Sequence, residues 1–271
     1  MSKTSRKTGF TLVELLVVIA IIGILVGMLL PAINAVRRRA VEFTINNDVT
    51  RLEQALESFQ SEYGFYPPDM SEINSAQEFL PWLGKISRSH QEGNGRDGGG
   101  LQIWWNQVGQ HLDNESALVF WLSGFSQNKQ YPLTVAGGSG GGSGRVAIPA
   151  YPVGGDEINR VVKFEFPNNQ LVINGQVASF VQRRGVKLQP YVYFHSGSYD
   201  TASHATSLDG SVVMPYFSAS GFPEGSDGTF QIIAAGVDGE FGSTGDLQNL
   251  TTEDNDNVCS FSDGRLAKIL N

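Results

Sequence analysis

The sequence has little cysteine, little charge and, above all, little positive charge. One cysteine, Cys259, stands among 271 residues, so no disulfide can form within the chain. Charged residues make up 17%, which is low for a cytosolic domain, and 27 acidic against 19 basic residues give a net charge of −8. Nucleic-acid binding requires a basic face, so this balance argues against a nucleic-acid partner and is compatible with cation binding.

Motifs of the common enzyme classes are also missing. There is no His-Glu-x-x-His, no Gly-x-Ser-x-Gly, no P-loop and no paired-cysteine metal site. The glycine-serine run at 137–144 lacks the strand-turn-helix context of a phosphate cradle, so a surface loop is expected there. The four histidines lie at unrelated spacings (His90, His111, His195, His204). We therefore predict that the chain is not an enzyme.

One long apolar run, from Phe10 to Leu30, stands out from the rest of the chain. It holds fifteen Leu, Ile, Val or Phe residues and a single charge, Glu14. Twenty-one helical residues span about 31 Å, the thickness of a bilayer's hydrocarbon core. The apolar residues favour insertion by about 4–9 kcal/mol, against about 3 kcal/mol for a carboxylate at mid-bilayer. The run therefore predicts a membrane-spanning helix, in which Glu14 either reaches the headgroups or has a functional partner.

Two ordinary kinds of N-terminal segment fit less well. A secretory signal peptide has an apolar core of roughly 7–15 residues and a small-x-small cleavage site, whereas Ala35 has Ile33 two residues before it. A signal anchor explains the hydrophobicity but not the order of residues 9–14. Basic residues 3, 6 and 7 favour a cytoplasmic leader, while arginines 37–39 oppose it, so charge alone leaves the topology open.

Residues 9–14, Gly-Phe-Thr-Leu-Val-Glu, follow a basic leader without acids. This order resembles the class III signal of type IV prepilins and type II secretion pseudopilins. The resemblance implies cleavage after Gly9, N-methylation of Phe10, and an assembly role for Glu14, the fifth residue of the mature chain. Pro31 matches a helix-kinking proline of the family. The same resemblance implies a cytoplasmic N-terminus and a periplasmic head.

The spacing of apolar residues predicts that the helix continues as an amphipathic one to Tyr63. Gly64 and Pro67-Pro68 should then stop it. Residues 64–67, Gly-Phe-Tyr-Pro, resemble the Gly-x-Tyr-Pro that follows this helix in major pseudopilins, which favours the secretion branch. The predicted buried face consists of Ile45, Val49, Leu52, Leu56, Phe59 and Tyr63, and the predicted solvent face of Asp48, Arg51, Glu53, Glu57 and Glu62.

Residues 71–125 predict two short helices, and strands follow from residue 151. Ser75 and Glu78 form a capping box for the first helix, and Asp113 or Asn114 can cap the second. Residues 161–166 and 171–173 predict a hairpin around a turn at 167–169. Further predicted strands are 191–194, 212–217, 229–235 and 258–261. The four tryptophans are either the core of the insert or a binding patch (Trp82, Trp104, Trp105, Trp121).

Two acidic segments near the C-terminus, 235–239 and 253–257, supply the hard oxygens that calcium prefers. They resemble the Gly-x-Asp-Gly turn and later acidic pair that hold calcium in major pseudopilins. The resemblance implies Asp238, Asp254 and Asp256 as side-chain ligands and the Ala235 carbonyl as a further one. The segments lie farther apart than in the family, and two solvated polar turns are the alternative.

Together these patterns predict an α+β, pilin-like fold, with a long N-terminal helix (a transmembrane half and an amphipathic half) packed on a C-terminal antiparallel sheet. Its expected segments are a leader (1–9), a transmembrane helix (10–31), an amphipathic continuation (32–64), an insert (65–150) and a β head (151–271). The resemblance implies an inner-membrane subunit that polymerises into a type II secretion pseudopilus. Its implied partners are its own copies, other pseudopilins, a prepilin peptidase, an inner-membrane assembly platform and lipid. A type IV pilus pilin and a membrane-anchored ligand-binding protein are the alternatives.

Overall fold

The computed structural model describes residues 11–91, 100–136, 145–149, 160–182, 187–199, 203–217, 229–242, 245–262 and 264–266. In these ranges the α-helices precede the strands, and every named strand pairs antiparallel, as predicted for this α+β fold. The helices are α1 (Leu12–Tyr63), α2 (Ala76–Ile86), α3 (Gly100–Gln107) and α4 (Ala117–Leu122). The strands are β1 (Thr134–Ala136), β2 (Arg145–Ala147), β3 (Leu171–Asn174), β4 (Val177–Gln182), β5 (Gln189–Pro190), β6 (Val192–His195), β7 (His204–Ala205), β8 (Val212–Val213), β9 (Phe230–Ala234) and β10 (Val258–Cys259).

The chain divides into two compact units at the junction of Val41 and Glu42, inside α1. Residues 42–63 of α1 belong to the second unit, the head, and their predicted apolar face is its buried face. Tyr63 at the end of that face is half-buried. Gly64 stops the helix as predicted, with φ at +81° and its N–H donating to the Gln60 carbonyl at 2.8 Å. The fully or nearly fully buried positions are Ile45, Val49, Leu52, Leu56 and Phe59.

The prediction that Asp48 faces solvent is wrong. Asp48 is 6% exposed, and its Oδ2 accepts hydrogen bonds from the Tyr191 hydroxyl at 2.9 Å and Gln170 Nε2 at 3.2 Å. On a helix, position 48 neighbours positions 45 and 52, so it flanks the buried stripe. A hydroxyl from a distant part of the chain makes this burial tolerable, because a buried polar group needs a hydrogen-bond partner.

The insert builds an aromatic core that is continuous with α1. Trp104 and Trp121 are 0% exposed, and the Trp121 ring lies 5.8 Å from Phe59 of α1 and 5.7 Å from Phe79 of α2. The indole N–H of Trp121 donates to the Pro68 carbonyl at 2.9 Å. The tryptophans at 104, 105 and 121 are therefore core residues, the first of the two predicted possibilities.

Helix α2 begins at its predicted cap, because Ser75 Oγ accepts from the N–H of Glu78 at 3.3 Å. The predicted cap of α4 differs: its N-cap residue is Ser116, which makes no side-chain capping hydrogen bond, while Asp113 Oδ1 accepts from the N–H of Ser116 at 3.0 Å in the turn before it. Helix α3 is a third helix that the prediction of two lacked. It has only eight residues, and the Leu101-to-Trp105 apolar spacing is its local signal in the sequence.

Among the described residues of the head, two antiparallel sheets have three strands each, with strand orders β3-β4-β5 and β6-β9-β10. Strands β5 and β6 are consecutive and separated by Tyr191, whose N–H still donates to the Phe180 carbonyl of β4 at 2.9 Å. The chain therefore passes directly from β5, the last strand of the first sheet, into β6, the first strand of the second sheet. Strands β1–β2 and β7–β8 form separate two-stranded pairs.

The hairpin predicted between residues 161–166 and 171–173 is wrong. Strand β3 pairs instead with β4, around a turn at Gly175, whose φ is +62°. The N–H groups of Lys163 and Phe164 donate to the Leu122 carbonyl at 2.9 and 3.1 Å. The alternating pattern of 161–166 correctly indicates that Phe164 and Phe166 are buried. It does not determine which part of the chain forms backbone hydrogen bonds with this segment.

Candidate functional site

The start of α1 is a reciprocal cap made by Thr11 and Glu14. Glu14 Oε2 accepts from the N–H and hydroxyl of Thr11 at 2.8 and 2.7 Å, and the N–H of Glu14 donates to Thr11 Oγ1 at 3.2 Å. A capping box satisfies N–H groups that have no partner within the helix. Glu14 thus has a structural task in the isolated chain, which the sequence analysis did not predict.

The apolar part of α1 is uncovered. Its large side chains are 38–81% exposed from Leu12 to Val36, and this is the one described helix long and apolar enough to cross a membrane. The helix continues through Pro31. No described residue covers this strip, and an exposed apolar surface of this size is typical of a site that contacts lipid or other protein. Gly9 and Phe10, the predicted cleavage and methylation positions, lie outside the described residues.

At the other end of the chain, the turn after β9 wraps around Asp256. Asp256 Oδ2 accepts from the N–H groups of Val237 and Asp238 at 2.9 and 3.1 Å. A Cβ built on Gly236 would lie 2.2 Å from the Asp256 carbonyl oxygen, so this close approach needs glycine. Gln182 fastens Ala235 to the same turn: in the amide orientation that satisfies both of its atoms, it accepts from the Ala235 N–H at 2.7 Å.

Asp238 and Asp256 are therefore brought together, as the calcium prediction requires. Burial raises the pKa of Asp238 to about 6, and the charge of Asp256 adds to this effect. Asp256 Oδ1 is buried and accepts no hydrogen bond from the described residues. Buried polar atoms normally have a partner, so this oxygen is a fitting ligand for a cation.

Asp254 does not join that pair. It is 0% exposed, with Oδ1 accepting from the Tyr216 hydroxyl at 2.7 Å and Oδ2 from the N–H and hydroxyl of Thr251 at 2.9 and 2.8 Å. Asn257 Nδ2 donates to the same Tyr216 oxygen at 2.9 Å. Within the described ranges no three acidic, histidine or cysteine side chains converge as a metal-binding group. Of the three predicted side-chain ligands, Asp238 and Asp256 thus lie on one turn that begins at Ala235, while both oxygens of Asp254 accept hydrogen bonds from Tyr216 and Thr251.

Another buried carboxylate, Glu115, was missed by sequence reasoning. It is 0% exposed and accepts from His204 Nε2 at 3.0 Å and from the N–H and hydroxyl of Ser207, both at 2.6 Å. Burial acts to raise the pKa of Glu115, but hydrogen bonds from His204 and Ser207 outweigh it and hold the pKa below its usual value. These contacts of Glu115 with His204 and Ser207 join the start of α4 to the loop that carries β7. They link distant parts of the chain, so no local sequence pattern predicts them.

Comparison with known proteins identifies the N-terminal segment. Residues 4–30 match the family described as the prokaryotic N-terminal methylation motif. Among curated proteins, the chain is similar to the type II secretion system core protein G of Escherichia coli K12, 32% identical over 34% of this chain and 63% of that protein. The core protein G of Vibrio cholerae is 34% identical over 25% of this chain and 46% of its own length, and that of Aeromonas hydrophila 30% over 32% and 61%.

The chain spans less than two thirds of the length of these relatives. No solved structure matches it. The motif and the relatives confirm the resemblance to a type IV pilin-like pseudopilin that the sequence predicted. The relatives are secretion-system core proteins, which agrees with the prediction that this chain is not an enzyme.

Proposed function

We propose that this chain is a structural subunit of a type II secretion pseudopilus, which polymerises through α1 to drive protein export. The observation that carries the proposal is that the apolar half of α1 is exposed and lies largely within residues 4–30, the segment that matches the methylation motif. Bundling these helices in a fibre would remove their apolar surface from water or lipid. The other pseudopilins, the prepilin peptidase and the inner-membrane assembly platform are the partners that this role requires.

The proposal includes a defined maturation and orientation. The basic leader stays in the cytoplasm, the head lies in the periplasm, and cleavage after Gly9 leaves N-methylated Phe10 as the first residue. Intact-mass spectrometry of the chain expressed with a prepilin peptidase should give this mature N-terminus. Gly9→Val should remain uncleaved, whereas Gly23→Ala, at a position where an added Cβ meets nothing within 4 Å, should be processed normally. Assembled protein that still begins at Met1, or begins near Ala35, would contradict the proposal.

Glu14 has a second task in the proposed fibre, where its carboxylate pairs with the Phe10 amine of a neighbouring copy. An unpaired charge in such a core costs several kcal/mol, so this pairing would fix the position at which each new copy joins the fibre. Glu14→Gln separates this task from capping, because the amide oxygen can still accept from Thr11. We expect Glu14→Gln to insert normally and to assemble poorly in a fibre-shearing assay. Wild-type fibre yield from this variant would remove the pairing role.

Two other functions remain as alternatives for the whole protein. A type IV pilus pilin would share the N-terminal segment, and the similarity to core protein G favours secretion over it. A membrane-anchored ligand-binding protein would require an exposed recognition patch in the insert. The burial of Trp104 and Trp121 argues against that patch. Failure to form any fibre with the secretion platform present would favour this alternative.

We further propose that Asp238 and Asp256 hold a calcium ion, with the Ala235 carbonyl as a further ligand, and that the ion fastens the C-terminal turn. The buried, unpartnered Asp256 Oδ1 is the observation that favours it. At a calcium concentration of a hundred times Kd, binding adds about 2.7 kcal/mol to the stability of the folded state.

Chelation should therefore lower the melting temperature of the detergent-solubilised chain, and calcium should restore it better than magnesium, which demands a tighter octahedral shell. Asp238→Asn should lose the calcium response, while Glu253→Gln, at an exposed carboxylate of the same loop, should keep it. Melting that is indifferent to both chelator and calcium would remove the ion from the proposal.

A further inference from the structure

A cavity of about 440 Å³ lies in the head between the end of α1, the end of α2 and the loop after α4. Three basic residues line it, Lys85, Arg88 and Lys129, against one carboxylate, that of Glu62. The charge around the cavity is therefore positive in a chain whose net charge is −8. Nothing in the proposed assembly role uses this cavity.

The three basic groups of the cavity form no ion pair with any acid in the described part of the chain. The one carboxylate beside them, Glu62, already pairs with Lys163. Two other cations of the head, Lys187 and Arg265, likewise have glutamate partners. Positive charge without an acidic partner is thus gathered at this cavity.

Hydrogen bonds hold together the two segments that carry Arg88 and Lys129. Ser87 Oγ donates to the Lys129 carbonyl, and the N–H of Gln91 donates to the Gln130 carbonyl at 2.9 Å. Two like charges are therefore kept on neighbouring segments, where they repel each other. An anion between them would replace that repulsion by attraction to both.

The third cation, Lys85, is positioned by aromatic rings. Its Nζ lies 4.0 Å from the centre of the Trp82 ring and 4.8 Å from that of Phe65. Such contacts orient an ammonium group and leave its charge in place. Ser126 Oγ, also at the cavity, accepts from the N–H of Asn128 at 3.1 Å, so its own proton can be donated to an anion.

We propose that this cavity binds an organic anion that carries two or more carboxylate or phosphate groups. The Arg88 guanidinium can donate two parallel hydrogen bonds to one such group, and the two ammonium groups can bind another. Phe125 and Val161 line the same cavity and suit the carbon part of the ligand. A volume of about 440 Å³ lies in the range of small-molecule sites. The source is either a free small molecule or neighbouring acidic side chains of a protein segment.

Trimesate, a benzene ring with three carboxylates, is a suitable probe, because its diverging carboxylates do not chelate the calcium proposed for the acidic turn. Calorimetric titration of the full chain in nonionic detergent micelles should give saturable binding. The binding should weaken as sodium chloride is added, since salt screens exposed charges. Benzyl alcohol, an uncharged aromatic control, should give no saturable binding.

Variants of the exposed cations test the site without disturbing the core. Arg88→Gln and Lys129→Gln should each weaken trimesate binding about two- to fivefold, and the double variant should weaken it further. Lys187→Gln removes the same charge from another exposed position of the head and should leave the affinity unchanged.

A change of opposite design should have the same effect. Val161 is 39% exposed at the cavity, so Val161→Glu adds a carboxylate there and should also weaken binding. No trimesate binding to the wild-type chain, equal binding to wild type and the Arg88→Gln/Lys129→Gln double variant, or equal binding of benzyl alcohol would overturn the site.

A tetraglutamate peptide distinguishes the two sources of the anion. If the peptide binds and trimesate displaces it, the cavity accepts an acidic protein segment. If trimesate binds and the peptide does not, the ligand is a free small anion. Both results support the anion site, and neither depends on whether α1 forms a fibre.

Discussion

The hydroxyl of Tyr216 organises the C-terminal loop, and its removal is the sharpest test of how that loop is held. Tyr216 is 2% exposed, donates to Asp254 Oδ1 at 2.7 Å and accepts from Asn257 Nδ2 at 2.9 Å. Burial raises the pKa of Tyr216, and the neighbouring Cys259 and Asp254 add to this, so the phenol stays a neutral donor. Tyr216→Phe would leave a buried carboxylate oxygen and a buried amide each short of one partner.

The expected loss follows from those two orphaned groups. A hydrogen bond to a charged group contributes about 1.5–3 kcal/mol, and a buried polar group left without its partner costs about 1–3 kcal/mol. Allowing for overlap between these effects, we expect Tyr216→Phe to reduce the free energy of unfolding by about 2–4 kcal/mol. Since each kcal/mol shifts the melting temperature of a domain of this size by roughly 2–4 °C, the transition should move visibly.

Tyr199 provides a matched control in the same hydrophobic cluster. It is 4% exposed, and its hydroxyl has no hydrogen-bond partner among the described residues. Tyr199→Phe deletes a chemically identical atom at similar burial, so it should cost less than about 0.5 kcal/mol or even stabilise. Urea unfolding of both variants in detergent, followed by circular dichroism, measures the difference. Equal losses in the two variants, or a loss below about 0.5 kcal/mol for Tyr216→Phe, would refute the argument.

Two further variants test the insert and the Glu115 site. Gly109→Ala should destabilise by about 1–3 kcal/mol in urea, because the new Cβ would lie 2.5 Å from the Trp105 ring, whereas Gly84→Ala meets its nearest atom at 3.8 Å and should be neutral or stabilising. The lowered pKa of Glu115 contributes stability that is present above the ordinary carboxyl pKa of about 4.3 and is lost as the pH falls through the folded value. Melting curves of Glu115→Gln should therefore lack part of the acid-induced loss seen in the wild type; identical acid sensitivity would show that Ser207 and His204 do not hold this carboxylate ionised.

The N-terminal half of the molecule was readable from the sequence because its determinants are local. A 3.6-residue repeat decides which face of α1 is apolar, and that face is the buried one at Leu52, Leu56 and Phe59. Gly64, with a positive φ, ends the helix. Ser75 caps the next helix because its hydroxyl accepts a hydrogen bond from the N–H of Glu78, three residues later. Each of these features depends on neighbours within four residues, so it can be predicted from the local sequence.

What the sequence could not determine are the partners of polar groups across long stretches of chain. Asp48 looked like a solvated helix residue, yet its hydrogen-bond partner Tyr191 lies 143 residues away, and the Tyr216 hydroxyl that donates to Asp254 lies 38 residues from it. The same holds for β3, whose strand-like pattern was right while its partner, β4 rather than residues 161–166, was not. Periodicity encodes how deeply a residue is buried. Which donor meets a buried carboxylate, and which backbone meets a strand, is decided only when distant segments pack together, because hydrogen bonds require positions within about 3 Å that no local pattern specifies.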